Sequence, residues 1–188
     1  MKQSNVCENA DRKSFDYNIA LIGFMGCGKS TIAGTLKKMY GMDVVEMDQI
    51  ISEREGMSIP AIFEKKGEEY FRNLETELLI ELQSRSNVVI SCGGGVPMRE
   101  RNVEEIKKNG RVVLLTAKPE TILKRVREKH DRPLLEGNKN VSYIADLMEM
   151  RREKYFAAAD VVVETDGKNK RMICEELVQK LQQLDTQK

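Results

Sequence analysis

The chain contains no tryptophan, one histidine and four prolines, and its 188 residues carry almost no net charge. Its 31 lysines and arginines offset 30 aspartates and glutamates, which leaves a formal charge of +1. A broad basic face for nucleic acid or for an anionic membrane is therefore not expected. Every apolar run is far shorter than the roughly 20 residues that a membrane-spanning helix needs. Any anion that the protein binds must be held by a few locally placed cations.

The four cysteines are far apart in the sequence and form no Cys-x-x-Cys pair. They are Cys7, Cys27, Cys92 and Cys174. Such spacing favours neither a zinc site nor a disulfide framework. The sequence also lacks the apolar segment of a secretory signal near its N-terminus. Free cysteines without a secretory signal predict a protein of the reducing cytoplasm.

The sequence changes character at Tyr17. Residues 1–16 are polar and aperiodic, and we expect them to form a flexible leader to which we assign no function. From residue 17 to 188 no linker and no internal repeat interrupts the pattern, so this segment is predicted to fold as one domain. A domain of this size buries roughly 70% of the surface that its unfolded chain exposes, which suffices for a real core.

Short apolar runs alternate with amphipathic stretches through the predicted domain. The predicted strands are residues 19–22, 44–45, 88–91, 112–115 and 161–163. Helices are predicted near residues 32–40, 58–65, 67–85 and 142–156. Three more are predicted after Pro119, at the C-terminal end, and from Pro97, which suits a first helical turn, to Gly110, which would end the helix. This alternation predicts an α/β fold with three layers (αβα), in which helices cover both faces of a five-stranded parallel sheet. Ligands of such sheets bind beyond the carboxyl ends of the strands.

Residues 23–30, GFMGCGKS, match the phosphate-binding pattern G-x-x-x-x-G-K-[ST] between a predicted strand and a predicted helix. Glycines allow consecutive backbone N–H groups to converge on a β-phosphate, and the helix N-terminus adds partial positive charge. Lys29 can reach the β- and γ-phosphates, while the Ser30 hydroxyl can ligate Mg²⁺. The loop therefore predicts binding of a nucleoside triphosphate by Gly26, Cys27, Gly28, Lys29, Ser30 and Thr31.

Two classes of P-loop protein are disfavoured by later segments of the sequence. A GTPase should carry Asn-Lys-x-Asp after a late strand, but residues 138–141 read NKNV. Ring and motor ATPases end an apolar strand in aspartate, whereas residues 112–115 run into Thr116. The acidic candidates are instead Glu46 and Asp48, after the second strand. At a spacing of i, i+2 on an extended chain they point the same way, so one could join a Mg²⁺ shell while the other faces an acceptor.

From about residue 18 to 183 the sequence resembles the shikimate kinase family. The matching segments are 23–31, 48, 58–63, 67–68, 71–75, 93–95, 132–135, and 151 with 155. The resemblance implies a P-loop kinase fold with a mobile lid at about 129–140. It further implies transfer of the γ-phosphate of ATP to the 3-hydroxyl of shikimate, with Mg²⁺ as cofactor. ATP and shikimate would be the partners of a monomer that binds neither nucleic acid nor membranes.

The resemblance also implies which residues bind the acceptor. Asp48 would contact its hydroxyls and take a proton, and Arg72 and Arg151 would hold its carboxylate in their planar forks. Glu75, three residues after Arg72, could fix that arginine's rotamer. Further contacts would come from backbone N–H groups of a triple glycine and from an apolar wall, namely Gly93, Gly94, Gly95, Phe63 and Phe71. The two phenylalanines are equally consistent with simple core packing.

On the ATP side the resemblance implies roles for two arginines. Arg132, in the lid, would bring a cation to the transferring phosphoryl group while the lid excludes water. Arg125 would lie against the adenine, although an ordinary helix-surface position fits its sequence context equally well. His130 is interpreted as a solvated lid residue rather than a catalyst.

The sequence departs from the family at two positions and leaves two other functions open. Glu46 stands where the family usually has aspartate, and Arg152 follows Arg151 where a Pro-Leu is common, so Arg152 could compete for the carboxylate. One alternative is a related kinase for gluconate, a nucleoside monophosphate or dephospho-coenzyme A. The other is a non-catalytic regulator that only binds nucleotide, against which the intact Lys29, Asp48 and Arg132 argue.

Overall fold

The computed structural model describes residues 15–127 and 140–187. The strands are β1 (Asn18–Ile22), β2 (Asp43–Glu46), β3 (Val88–Ser91), β4 (Gly110–Thr116) and β5 (Val161–Glu164). The helices are α1 (Lys29–Tyr40), α2 (Met47–Glu55), α3 (Ile59–Lys66), α4 (Glu68–Leu82), α5 (Glu100–Lys108), α6 (Pro119–Arg127), α7 (Val141–Ala158) and α8 (Lys170–Thr186). Most of the predicted leader and nearly all of the predicted lid, with His130 and Arg132, lie outside the described residues.

The five strands form one parallel sheet in the order β2-β3-β1-β4-β5. The central strand β1 is buried along its whole length, as expected for a parallel strand covered on both faces. Its alternate residues enter two separate hydrophobic clusters, Ile19 and Leu21 on one face and Ala20 and Ile22 on the other. The three-layer αβα prediction is therefore confirmed.

Amphipathic helices cover the two faces of the sheet. On the first face, α1 and α8 contribute apolar stripes at helical spacing that include Leu36 and Leu177. On the second face, α4 and α5 contribute Leu78 and Ile106. Burial of each such side chain stabilises the fold by roughly 1.5–3 kcal/mol. None of the described helices is long and apolar enough to cross a membrane.

The sequence prediction missed α2. Strand β2 ends at Glu46 and α2 begins at Met47, which places Asp48 in the first turn of a helix rather than on extended chain. The expectation that Glu46 and Asp48 point the same way on extended chain therefore rests on the wrong local structure. Met47 and Ile51 are both buried, and their i, i+4 spacing is the helical signal that the prediction overlooked. An acidic residue in the first turn also complements the helix dipole.

Two boundaries near α5 differ from the prediction. Pro97 lies in a separate 3₁₀ turn (Val96–Met98), and α5 begins only at Glu100. Gly110 does not close α5, because Asn109 follows the helix and Gly110 is already the first residue of β4. A Cβ at Gly110 would lie 2.7 Å from the Ile106 carbonyl oxygen, so close backbone approach explains this glycine.

The core begins slightly earlier than the predicted domain boundary. Phe15, which the prediction assigned to the leader, is buried, and its ring packs against Tyr17 with the centroids 5.1 Å apart. Its backbone N–H donates a hydrogen bond of 3.1 Å to the Asn87 side chain. Phe15 therefore belongs to the folded domain rather than to the predicted leader.

Candidate active site

The residues predicted to bind ligands gather at one edge of the sheet. The loop of residues 23–28 follows β1, Glu46 ends β2, and residues 93–95 follow β3. Because β1, β2 and β3 are parallel neighbours, their carboxyl ends lie side by side. Their order along the edge places the segment after β3 between the other two. Parallel pairing thus brings together segments that are far apart in the sequence.

Two glycines allow the phosphate-binding loop to adopt its path. Gly23 has a φ of +142°, and a Cβ there would lie 2.4 Å from the Leu115 carbonyl oxygen. Gly26 has a φ of +79°, and a Cβ there would lie 2.8 Å from Cγ1 of Val126. Side chains at either position would force the loop away from β4 and α6. Helix α1 begins immediately after the loop, as the predicted phosphate cradle requires.

The ammonium group of Lys29 lies over this loop. Its Nζ donates hydrogen bonds to the carbonyl oxygens of Gly23 at 2.8 Å and Phe24 at 3.3 Å. These acceptors are uncharged, so a phosphate oxygen would be the stronger partner for the cation. A change in the side-chain rotamer of Lys29 could therefore bring its ammonium group to a bound triphosphate. Thr31, the last residue of the predicted set, is exposed in the first turn of α1.

The two residues predicted to hold a metal ion are in direct contact. The Ser30 hydroxyl donates a hydrogen bond of 3.0 Å to Oε2 of Glu46. Hydroxyl and carboxylate oxygens are ligands that Mg²⁺ accepts. Although glutamate is one methylene longer than the usual aspartate, its carboxylate still reaches Ser30. The donor set therefore fits Mg²⁺.

The triple glycine lies against the acidic residues of the site. A Cβ at Gly93 would lie 2.7 Å from Oε1 of Glu75 and 2.8 Å from Oδ1 of Asp48. Both carboxyl groups therefore lie next to the Gly93 backbone, Glu75 buried and Asp48 at the exposed rim. The absence of a side chain at Gly93 is what leaves room for them. Asp48 thus has the access to a ligand that its predicted role demands.

Arg72 lies across the other end of the triple glycine. A Cβ at Gly95 would be 2.1 Å from its Nη1 atom, so only glycine lets the guanidinium occupy this place. Nη1 donates a 2.8 Å hydrogen bond to Glu75 Oε2, and Nη2 donates one of 2.9 Å to Glu68. The prediction that Glu75 fixes the rotamer of Arg72 is confirmed.

Phe63 and Phe71 lie beneath the guanidinium of Arg72. Their ring centroids are 4.9 Å apart, and the Arg72 Cζ is 5.8 Å from the first and 5.4 Å from the second. Phe71 is buried in the second hydrophobic cluster, whereas Phe63 is only partly buried against it. Phe71 is thus a core residue, and Phe63 retains an accessible surface beside the site. The rings also support the cation from one side.

Glu75 is a completely buried carboxyl group with unequal oxygens. Oε2 accepts the bond from Arg72, while Oε1 has no hydrogen-bond partner among the described residues. Burial raises the pKa of Glu75 from 4.5 to about 7, although the charge and hydrogen bond of Arg72 oppose the rise. The nearby Asp48 carboxylate adds to the increase. Near neutral pH the group is therefore partly protonated.

The raised pKa of Glu75 predicts a pH-dependent stability. Between pH 4.5 and about 7 the unfolded chain loses this proton while the folded protein keeps it, so stability falls as the pH rises. The stabilisation that arises from the raised pKa of Glu75 is fully present below pH 4.5, amounts to about 3 kcal/mol and is lost above about pH 7. We expect urea unfolding to show the native chain losing free energy of unfolding relative to Glu75→Gln between pH 5 and 8. A difference between the two proteins that does not change with pH would contradict this.

Arg151 and Tyr155 approach the middle glycine from α7. A Cβ at Gly94 would lie 3.6 Å from the Tyr155 hydroxyl oxygen and 3.8 Å from the Arg151 Nη1. The hydroxyl donates a 2.7 Å hydrogen bond to the Gly94 carbonyl oxygen, and burial raises its pKa to about 12, so it stays protonated. Arg152 instead contacts Glu149 at 3.6 Å and the exposed ring of Phe156. Of the two arginines, Arg151 is the one that reaches the triple glycine.

Arg125 connects the phosphate-binding loop to the segment after β5. Its Nη1 donates to the carbonyl oxygens of Gly26 at 3.3 Å and Cys27 at 3.2 Å, and to the Thr165 hydroxyl at 3.0 Å. The guanidinium is therefore held by hydrogen bonds to the protein rather than extending freely into solvent. Contact between the Arg125 guanidinium and the adenine of ATP stays a prediction, as does the role of Arg132.

Sequence reasoning missed the polar residues that connect the walls of this site. Asn102 and Thr76 are both buried, and they bond to each other. The available signal was position, because Asn102 lies four residues before Ile106 on the buried stripe of α5. A polar residue on such a stripe needs a partner. Its partner could not be identified from spacing.

The chain is similar in sequence and in structure to known shikimate kinases. The family model described as shikimate kinase matches residues 25–182. A shikimate kinase of Dehalococcoides mccartyi is 39% identical over 168 residues, covering 89% of this chain and 95% of the relative. A solved shikimate kinase from Acinetobacter baumannii in complex with shikimate is 35% identical, with a TM-score of 0.82 over 89% of this chain and 93% of that one.

A more distant structure shows how far the fold alone extends. A gluconokinase from Sinorhizobium meliloti aligns with a TM-score of 0.55 over 92% of this chain and 95% of that one, at 17% identity. That likeness concerns the fold only. The family match begins within the phosphate-binding loop, at Met25, and includes the triple glycine. The chain belongs to the shikimate kinase family.

Proposed function

We propose that the protein transfers the γ-phosphate of ATP to the 3-hydroxyl of shikimate, with the acid bound between Arg72, Arg151 and the triple glycine. Membership of the shikimate kinase family makes the chain an ATP-dependent kinase of shikimate. The observation that carries the residue assignment is the convergence of Asp48, Arg72 and Arg151 on residues 93–95. This cluster adjoins the phosphate-binding loop at the same edge of the sheet.

In this proposal Arg72 and Arg151 bind the carboxylate of the acid. Each offers a planar fork that can make two parallel hydrogen bonds. Arg72 is already oriented by Glu68 and Glu75, so little side-chain entropy is lost when an anion binds. Phe63 offers an apolar surface beside the guanidinium for the ring of the acid. Backbone N–H groups of the glycines can reach the hydroxyls because no side chain shields them.

Asp48 faces the reacting hydroxyl in this arrangement. Its carboxylate can orient the 3-hydroxyl by accepting its hydrogen bond and can take the proton as the oxygen bonds to phosphorus. Lys29 exchanges its carbonyl partners for oxygens of the β- and γ-phosphates. As the bond from the γ-phosphorus to the β-phosphate oxygen breaks and ADP leaves, the charge on ADP is met by the Lys29 ammonium rather than by water. Arg125 keeps the phosphate-binding loop in place through the Gly26 and Cys27 carbonyls.

Mg²⁺ is the cofactor that we assign to this site, with Ser30 and Glu46 as its protein ligands. Their oxygens already lie 3.0 Å apart, so one ion can replace the hydrogen bond between them. When bound, Mg²⁺ would neutralise charge on the β- and γ-phosphates of ATP.

We further propose that the chain from residue 15 onward acts as one cytoplasmic domain and as a monomer. In support, the described cysteines Cys27, Cys92 and Cys174 are all buried and free, as suits a reducing compartment. All residues of the proposed site come from a single chain. The lid at about 129–140, with Arg132, remains the prediction made from the sequence.

A coupled assay of ADP release tests this function against its alternatives. We expect turnover with shikimate and no more than background with gluconate, a nucleoside monophosphate or dephospho-coenzyme A. Gluconate carries its carboxylate and hydroxyls on an open chain rather than on a ring, and the other two acceptors have no carboxylate for the arginines to bind. Preferred turnover of gluconate, a nucleotide or dephospho-coenzyme A would refute the acceptor assignment. Tight ATP binding without turnover of any acceptor would support a non-catalytic regulator instead.

A further inference from the structure

A buried amide bridges helix α4 and the turn after the triple glycine. Asn102 is 0% exposed, and its side chain is bonded on both sides. Its Oδ1 accepts a 2.6 Å hydrogen bond from the hydroxyl of Thr76 in α4. Its Nδ2 donates a 3.1 Å hydrogen bond to the carbonyl oxygen of Val96, the residue directly after Gly95. The amide therefore connects two segments that carry the proposed site.

Each end of this bridge is coupled closely to a ligand-binding group. Thr76 lies one helical turn after Arg72, and its hydroxyl is also 3.0 Å from the Arg72 carbonyl oxygen. Val96 closes the glycine turn, because its N–H donates a 3.1 Å hydrogen bond to the Gly93 carbonyl oxygen. Asn102 thus restrains the same peptide units that present the triple glycine to the site.

The walls that the bridge connects are packed too tightly to move freely. The Gly95 α-carbon approaches the Arg72 guanidinium so closely that a Cβ would lie 2.1 Å from Nη1. A displacement of the turn by a fraction of an ångström would therefore shift the guanidinium or open a gap beside it. Misplacement of a binding group by about 1 Å can cost 10²-fold in rate.

Packing alone would not require an amide here. Val96, which accepts the hydrogen bond from Asn102, and Ile106, one helical turn after Asn102, both belong to the second hydrophobic cluster. A leucine has the same number of side-chain heavy atoms and the same branching, but apolar contacts are not directional. A fully bonded buried amide instead specifies one distance and one orientation between its partners.

We infer that Asn102, bonded to Thr76, is a positioning residue for the acceptor acid. It sets the spacing between Arg72 and the triple glycine without touching either substrate, and this inference rests on the roles proposed for Arg72 and residues 93–95. The ATP side of the site does not depend on the bridge. Loss of the bridge should therefore weaken the use of shikimate selectively.

Steady-state kinetics of Asn102→Leu and Thr76→Val test the inference. Each variant removes one half of the bridge and keeps the number of side-chain heavy atoms. We expect the KM for shikimate to rise roughly tenfold, from a misplacement smaller than 1 Å, while the Kd for ATP stays within about twofold. Thr76→Ser keeps the hydroxyl and should restore the KM. The double variant should be no worse than the more affected single variant, because both break the same link.

Asn18→Leu is the matched control. Asn18 is also a buried asparagine, 4% exposed, and its amide bonds the carbonyl oxygens of Leu82 and Arg85 at the end of α4. It lies at the opposite edge of the sheet, where β1 begins. We expect a loss of thermal stability comparable with that of Asn102→Leu, but no change in the KM for shikimate.

Three outcomes overturn the inference. The first is an unchanged KM for shikimate in folded Thr76→Val or Asn102→Leu. The second is a Thr76→Ser variant with a KM as high as that of Thr76→Val. The third is a rise in KM in Asn18→Leu equal to that in Asn102→Leu. If Asn102→Leu does not fold, the two Thr76 variants decide alone. Arg72→Lys distinguishes a failure of the bridge inference from a failure of the site assignment. Lysine lacks the planar fork, so this variant should raise the KM for shikimate. An unaffected Arg72→Lys would show that the site assignment, rather than the bridge, is wrong.

Discussion

Asp48→Asn is expected to lose about 10³-fold in kcat while the Kd for ATP changes by no more than a few fold. The amide keeps the shape of the side chain but cannot take the proton of the acceptor hydroxyl. ATP is bound by the phosphate-binding loop after β1, whereas Asp48 lies beside Gly93, which comes after β3. Steady-state kinetics with shikimate and calorimetric titration with ATP alone measure the two quantities separately.

Asp43→Asn is the control for this variant. Asp43 begins the strand β2 that Glu46 ends, and its exposed carboxylate pairs with Arg85 at 3.0 Å on the far edge of the sheet. It carries the same change of charge at a similar place in the sequence, and we expect normal kinetics. If Asp48→Asn retains most of its turnover, Asp48 is not the carboxylate that faces the acceptor.

Gly95→Ala is expected to lower kcat/KM for shikimate by roughly 10²-fold with little loss of stability. The new Cβ would lie 2.1 to 2.5 Å from atoms of the Arg72 guanidinium, which must move out of the site. The guanidinium is the distal end of a long side chain and can move without displacing the backbone, and the buried Glu75 that loses this partner can bind a proton instead. Gly95 has a φ of −94°, which alanine adopts without strain. Kinetics and thermal unfolding of the variant check both halves of this expectation.

Gly34→Ala serves as the matched control for this substitution. Gly34 lies inside α1, and a Cβ there would meet nothing within 4 Å. Alanine should stabilise the helix by roughly 0.5–1 kcal/mol and leave the kinetics unchanged. Equal kinetic losses in both variants, or none in Gly95→Ala, would contradict the position assigned to Arg72.

Several features of the site follow from contiguous sequence. The phosphate-binding loop is a local motif, and its glycines, Lys29 and Ser30 act through their own backbone path and the helix directly after it. The prediction of Glu75 as a support for Arg72 also needed only the helical spacing of i, i+3. Such relations depend on bonds between near neighbours in the chain, which periodicity describes well.

Sequence was less informative where a boundary depends on the packing partners of the chain. Helix α2, which contains Asp48, begins directly after Glu46 because Met47 and Ile51 are buried in the core. The Glu46 side chain makes no capping hydrogen bond, so the sequence carries no local signal for the start of this helix. Gly110 is a glycine because Ile106 approaches its backbone, although helix termination explained it equally well beforehand. In both cases the deciding contact involves burial that local propensity does not encode.

The sequence alone determined the fold class, the phosphate-binding loop and, by resemblance, the family of the protein. The tertiary structure alone decided that Arg151 rather than Arg152 reaches the triple glycine, that Gly95 makes room for Arg72, and that Asn102 connects the two walls. The physical reason is distance along the chain. Parallel strands bring residues 48, 72, 95 and 151 to one edge, and their mutual contacts exist only once the whole sheet has formed.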